Sequence, residues 1–281
     1  MKYGTHQEYS SKGTNLVEQS LLTVWASLSR WHDDLVLIGG LVPRYLCGDI
    51  SEQRQLPRPV TIDADLGIAL GASSGQYEPL SSALQGHGFK RSEKAGHFEK
   101  SLDASTTVFI DFLVEHPPHT EGTATVDDIH ANILPGVNRA LKTARSRQVS
   151  GMDLYGAKQN LTIRVCEIGP FLALKLRAFH SRRQPKDAFD ILYVLKYYDG
   201  GIERALRAFA DECRLQNPAA EDAITSLERH FQSEDSSAPL QAAHFVLGEG
   251  PTGISEERVQ IQQEVVDAGH VLLRAARDAM S

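Results

Sequence analysis

The stretch "VTIDADLGIAL" (residues 60–70) sets two acids, Asp63 and Asp65, inside what is otherwise an apolar strand. Residues two apart in a strand share a face. Thr61, Asp63 and Asp65 therefore point one way and Ile62, Ala64 and Leu66 the other. Two carboxylates about 7 Å apart on one face repel unless a cation or a proton lies between them. A hard divalent cation with oxygen ligands suits such a pair, and Mg²⁺ typically takes one or two carboxylates together with substrate phosphates. Upstream, "VLIGG" (36–40) reads as a strand buried on both faces that ends in Gly39 and Gly40. "LVPRYL" (41–46) follows as a short helix, with Pro43 tolerated in its first turn. Strand, glycines and helix start make a phosphate-binding order. Downstream, "VFIDFL" (108–113) puts a third acid, Asp111, between Ile110 and Phe112. If that strand pairs beside 60–70, three carboxylates converge. Each feature alone also fits an edge strand or a bulge; their succession is more specific.

The chain has 281 residues and a formal charge of -7, from 29 Lys+Arg and 36 Asp+Glu. An acidic balance argues against a non-specific nucleic-acid coat but leaves room for local basic sites. Two stretches run against it: "RALKTARSR" (139–147) and "KLRAFHSRRQPK" (175–186). No long apolar run suggests a membrane span, and "MKYGTHQEYSSK" (1–12) has no signal core, so a cytoplasmic protein is expected. Cys47, Cys166 and Cys213 have no zinc or redox spacing. Nor do the histidines show ligand spacing: His116 and His119 flank Pro117-Pro118, while His87 and His97 border strands. No G-x-S-x-G nucleophile elbow occurs.

Helical spacing covers 15–31, with Asn15 as the expected cap, and 78–89. Strands are expected at 97–102 and 106–114, and loops at 48–59, 115–123, 233–240 and 248–253. Residues 126–165 carry mixed signals. After Gly169-Pro170 the pattern is helical at 170–181, 186–198, 201–214, 219–231 and 255–279, the last capped by Ser255. This predicts an α+β chain: an α/β domain over 1–165 and an all-helical domain over 166–281.

In "FLALKLRAFHSRRQPKDAFDILYVL" (171–195), Lys175 falls in the middle of an apolar helical arc, between Phe171 on one side and Leu172 and Phe179 on the other. An amine there must snorkel, find a carboxylate or lose its proton. The next helix offers Asp187 and Asp190, which are i,i+3 neighbours. One reading is an ion pair that locks two helices. The other is a lysine that binds a phosphate, with an aspartate that positions it or acts on the acceptor. Arg58, held between Pro57 and Pro59, is a further group that could reach a triphosphate, or a solvated loop arginine.

The order G-G, T-x-D-x-D and a third acid resembles the nucleotidyltransferase superfamily of the DNA polymerase β type. With "LALKLRA…RRQPKDAFDILYVL" added, the chain resembles its AbiEii-type branch, the toxins of abortive-infection toxin–antitoxin pairs, over roughly residues 35–195. The resemblance implies a polymerase β-like mixed sheet with flanking helices, followed by an all-helical C-terminal domain that completes the active-site cleft. It implies transfer of a nucleoside monophosphate from an NTP, with Mg²⁺ or Mn²⁺, to an acceptor hydroxyl at the tRNA 3′ end. A cognate antitoxin would be a partner, and no membrane is involved. By the same resemblance Asp63, Asp65 and Asp111 hold the metal; Gly39, Gly40 and Lys175 bind nucleotide; and Asp190, with Asp187 as the alternative, acts beside Lys175. Many members of the superfamily carry Gly-Ser where this chain has Gly39-Gly40, which leaves only backbone N–H groups for the phosphate. The third acid varies in this branch. The alternatives are a small molecule or a protein side chain as acceptor, or an idle fold that binds a partner.

Overall fold

The computed structural model describes residues 4–9, 11–48, 55–75, 78–249 and 255–281. The loops expected at 48–59 and 248–253 lie largely outside them. The first half runs α1 (Ser11–Ser27), β1 (Leu35–Ile38), α2 (Pro43–Leu46), β2 (Asp63–Ile68), α3 (Leu80–Gly86), β3 (Lys90–Arg91), β4 (His97–Ser101), β5 (Thr107–Val114), β6 (Thr123–Val126), β7 (Ile129–Ile133), α4 (Val137–Thr143), β8 (Arg145–Met152) and β9 (Lys158–Val165). Six helices follow: α5 (Ile168–Arg182), α6 (Pro185–Tyr197), α7 (Ile202–Arg214), α8 (Ala220–His230), α9 (Ser237–Leu247) and α10 (Glu256–Met280). Two compact units result. A sheet unit comprises Ser10–Val42 and Val60–Glu167, and a helical unit comprises Met1–Tyr9, Pro43–Pro59 and Ile168–Ser281.

The sheet is mixed, in the order β3-β4-β5-β2-β1-β9-β8, with β7 joining β5 and β6. β2 runs antiparallel to β1 and parallel to β5. β5 alternates strictly: Val108, Ile110, Phe112 and Val114 are buried, while Thr107, Phe109, Asp111 and Leu113 are half-exposed. α1 packs on the sheet, with Trp25 fully buried and its Nε1 donating to the Thr162 carbonyl at 3.0 Å. The helix begins at Ser11, one turn before the expected cap, so Asn15 lies inside it. Buried Thr14 explains the extension: its hydroxyl accepts from the Thr61 N–H (3.3 Å) and donates to the Thr61 carbonyl (3.4 Å). That tertiary anchor outweighs the local cap preference.

The weakly patterned region 126–165 holds β7, α4 and the β8–β9 hairpin. β8 is an edge strand with little buried apolar surface, so its sequence shows no clean alternation. Its register comes from the turn instead. Asp153 Oδ1 accepts from the N–H groups of Tyr155 and Ala157, at 2.9 and 2.8 Å, a turn chemistry suited to aspartate. Glu115, buried at the end of β5, accepts from the N–H groups of Gly136 and Asn138 at the start of α4, both at 2.9 Å.

In the helical unit α5 packs against α6, α7 and α8. A Cβ on Gly169 would meet the Ala208 carbonyl oxygen at 2.6 Å, so glycine there sets the close approach of α5 and α7. The Ser255 hydroxyl accepts from Arg258 N–H and caps α10 as expected. Helix α9 was not expected, because "SEDSSAPL" reads as loop. Pro239 sits in its first turn, where its missing N–H costs nothing. Its buried face is largely alanine, a weak periodic signal. Among the described residues no helix is long and apolar enough to cross a membrane.

Candidate active site

Strand register builds the first cluster. β2 is the strand that β1 and β5 flank, and the ladder sets Asp65 beside Ile38 on one side and beside Asp111 on the other. Registered neighbours in a parallel pair point to the same face, as Asp63 and Asp65 do within β2. The three acids thus share one face, and a ligand atom from each lies within 4.8 Å of the others. Asp63 is buried; Asp65 and Asp111 are half-buried. The Thr61 hydroxyl donates to Asp63 Oδ1 at 2.7 Å, which fixes that carboxylate's rotation. An all-oxygen set of convergent carboxylates fits a hard divalent ion such as Mg²⁺ or Mn²⁺.

The glycines belong to the same construction. Gly39 has φ +73°, and a Cβ built on it would stand 1.8 Å from Asp65 Oδ2. Any side chain would therefore displace the Asp65 carboxylate, and the backbone conformation independently favours glycine. Gly40 is buried in the short 3₁₀ turn Gly39–Leu41, closed by Val42 N–H donating to the Gly39 carbonyl at 3.3 Å. The expected helix start is realised as this turn followed by the four-residue α2.

One residue of this cluster escaped the sequence reading. His97, registered opposite Asp111 across β4 and β5, brings its Nδ1 to 2.5 Å from Asp111 Oδ1 and stacks on Phe109 at 5.1 Å. The hydrogen bond and charge of Asp111 hold the imidazole above its ordinary value, against the opposing effect of partial burial. A signal for it existed. The β4–β5 hairpin turns near residue 104, and counting back from that turn pairs 97 with 111.

The second cluster lies in the helical unit. Lys175 is buried, as its place in the apolar arc of α5 requires, and it finds two carboxylates. Its Nζ lies 2.9 Å from Asp187 Oδ1 and 2.8 Å from Asp190 Oδ2. Burial pushes the amine down, but Asp187 and Asp190 outweigh it, so the net shift is upward and the ammonium is retained. Arg182 forks onto both oxygens of Asp187, at 2.7 and 2.9 Å. Lys186 Nζ sits 2.6 Å from Asp190 Oδ2. Three cations therefore share two carboxylates. The other oxygen of fully buried Asp190, Oδ1, has no hydrogen-bond partner.

The basic stretch 175–186 is thus less available than its sequence suggests: Lys175, Arg182 and Lys186 are held by these aspartates, and Arg177 by Asp222. Within 139–147, Arg145 pairs with Glu167 at 2.7 Å. Arg58 is exposed in the helical unit, where its carbonyl meets His6 Nε2 at 2.8 Å.

Residues 20–249 match the protein family described as nucleotidyl transferase AbiEii toxin, type IV TA system. Among solved structures, the chain is similar to MenT4, a nucleotidyltransferase toxin from Mycobacterium tuberculosis H37Rv, at 13% identity and a TM-score of 0.43, over 95% of this chain and 86% of that one. No curated protein matches in sequence.

Proposed function

This chain belongs to the AbiEii family of nucleotidyltransferase toxins of type IV toxin–antitoxin systems, and from that premise we propose a metal-dependent transfer of a nucleoside monophosphate from an NTP to the 3′-terminal hydroxyl of a tRNA. The observation that carries the chemistry is the convergence of Asp63, Asp65 and Asp111 on one face, with ligand atoms within 4.8 Å. Asp63, Asp65 and Asp111 would hold divalent ions, Mg²⁺ or Mn²⁺, which when bound supply positive charge for the triphosphate and the developing pyrophosphate. Thr61 and His97 fix the rotations of Asp63 and Asp111. Gly39 leaves room for Asp65, and the backbone N–H groups of Gly39 and Gly40 donate to phosphate.

In the reaction the acceptor oxygen attacks the α-phosphorus. A new P–O bond forms, the bond to the β-phosphate oxygen breaks, and pyrophosphate leaves with the electron pair. The hydroxyl proton passes to a carboxylate oxygen of the cluster. Lys175, kept charged by Asp187 and Asp190, is assigned to a phosphate of the nucleotide, and Arg58 to the triphosphate. Asp190, with Asp187 as the alternative, positions Lys175 or acts on the acceptor. A cognate antitoxin protein is the expected partner.

One observation favours a second acceptor. With the cations of 175–186 largely held by aspartates, that segment offers little charge to an RNA backbone, which suits a small molecule or a protein side chain. The test is incubation with each labelled NTP, Mg²⁺ and total tRNA. Label on tRNA that Asp63→Ala abolishes supports the first reading. Label on protein or metabolites alone moves the assignment to the second, and no transfer to any acceptor sinks both.

A further inference from the structure

The C-terminal turns of α5 and α8 meet at a pair of histidines that the transfer reaction does not use. The rings of His180 and His230 lie 5.6 Å apart, centre to centre, tilted by 45°. His180 Nδ1 and His230 Nε2 are both buried and without a hydrogen-bond partner. Ser226 stands one turn before His230 on the same face of α8, and its hydroxyl is also buried and unpartnered. So is Gln241 Oε1, one turn after Ser237 on α9. Buried polar atoms are ordinarily satisfied, so two orphaned imidazole nitrogens on neighbouring rings mark a place that can take a ligand.

The chemistry of the pair narrows what that is. Ser237 Oγ lies 3.0 Å from His230 Nδ1. A proton held on Nδ1 by that hydroxyl leaves the lone pair on Nε2, the arrangement in which metal-ligating imidazoles are held. Burial, together with the charges of His180, Arg183 and Arg229, holds the His230 imidazole below its ordinary value. Arg183 and Arg229 are exposed, and water screens their charges. The last turns of two helices present carbonyl dipoles that favour a cation. Phe179 and Phe231, fully buried, supply the apolar wall. Two imidazoles on one ion at the usual Zn–N distance place their ring centres about 5–6 Å apart, which is the separation found.

We propose that His180 and His230 bind a borderline divalent ion, Zn²⁺ or a similar transition metal, at a two-histidine site that ties α5 to α8, with water filling the remaining coordination positions. Imidazole nitrogens select such ions over Mg²⁺, so this site is chemically distinct from the carboxylate cluster.

The test is calorimetric titration of the full-length chain with Zn²⁺ in excess Mg²⁺, repeated on His180→Gln, His230→Gln and Asp63→Asn, each first shown to be folded by circular dichroism. The expected result is one equivalent of Zn²⁺ whose affinity falls about 10- to 100-fold in either histidine variant and is unchanged in Asp63→Asn. Zn²⁺ should also raise the unfolding temperature of the wild type but not of the histidine variants. Should one histidine variant fail to fold, the other variant and the visible absorption of the Co²⁺-loaded wild type decide, because imidazole nitrogens move the Co²⁺ d–d bands to shorter wavelength than oxygen ligands of the same geometry do. Equal Zn²⁺ binding in wild type and His180→Gln, no binding in the wild type, or a Co²⁺ spectrum of oxygen ligation alone would overturn the site and leave the pair bridged by water.

Discussion

In the sheet unit, three carboxylates are brought onto one face with ligand atoms within 4.8 Å of one another. In the helical unit, two carboxylates are surrounded by Lys175, Lys186 and Arg182. The first cluster gathers three carboxylates, with His97 against one of them, held by strand register and by a glycine that yields space. The second gathers both signs and is nearly closed on itself. Like charges at this spacing are a source of free energy that a bound cation relieves, so the first arrangement is costly to the apo fold and useful to a ligand. A buried ion network becomes strongly destabilising only when one partner is removed, so the second also supports the fold, beside the roles proposed for Lys175 and Asp190. Two carboxylate clusters thus carry opposite consequences for stability when one member is removed.

The largest expected effect breaks the first cluster. Asp63→Asn or Asp65→Asn should lower nucleotidyl transfer by ~10³-fold or more, about 4 kcal/mol of transition-state stabilisation, with a metal-free unfolding temperature equal to or above wild type. Loss of activity accompanied by a collapse in stability would show that the acids are structural. Next comes the second cluster. Lys175→Met should cost about 3–5 kcal/mol of stability, measured by denaturant unfolding. The linkage sign is definite: the folded-state pKa of Lys175 lies above its ordinary value of 10.5. Its contribution is therefore fully present below that ordinary value and is lost only as pH rises through the higher folded one. The difference between Lys175→Met and wild type should accordingly stay constant from about pH 6 to 9; a difference that shrinks across that window would mean the amine is neutral.

Gly39→Ala sharpens the contrast, because it attacks position and leaves every charge in place. The new Cβ would overlap the Asp65 carboxylate at φ +73°, so a loss of about 1–3 kcal/mol and a fall in activity approaching that of Asp65→Asn are expected. Wild-type metal affinity in that variant would contradict the placement. The smallest effect is expected at His97. His97→Gln retains a donor toward Asp111 but loses the ring that stacks on Phe109 and fixes its geometry, and should weaken Mn²⁺ binding about 10-fold with stability little changed.

Much of the first cluster was legible in the chain. The period of a strand is two, so Asp63 and Asp65 had to share a face, and the glycines ending β1 were visible as a run. Lys175 was legible for a similar reason: helical spacing placed it in the apolar arc of α5 before any fold was known. His97 was not read, although the hairpin turn near residue 104 implied its pairing with Asp111. The β8–β9 hairpin and α9 were not read either, because an exposed edge strand and an alanine-faced helix bury too little apolar surface to leave a periodic trace. The start of α1 was misplaced because a contact between Thr14 and Thr61, 47 positions apart, decided it.

By itself the sequence determined the short-range facts: which residues share a strand face, which charge falls among apolar neighbours, and which motifs succeed one another. These follow from backbone periodicities of two and 3.6 residues, which act over a few positions. Only the tertiary structure decided that β2 and β5 pair in the register that sets Asp65 beside Asp111, that Gly39 is the space the Asp65 carboxylate occupies, and that His180 and His230 face each other across α5 and α8. Register and helix packing are settled by how whole faces fit together, and a local pattern carries no record of what it will be pressed against.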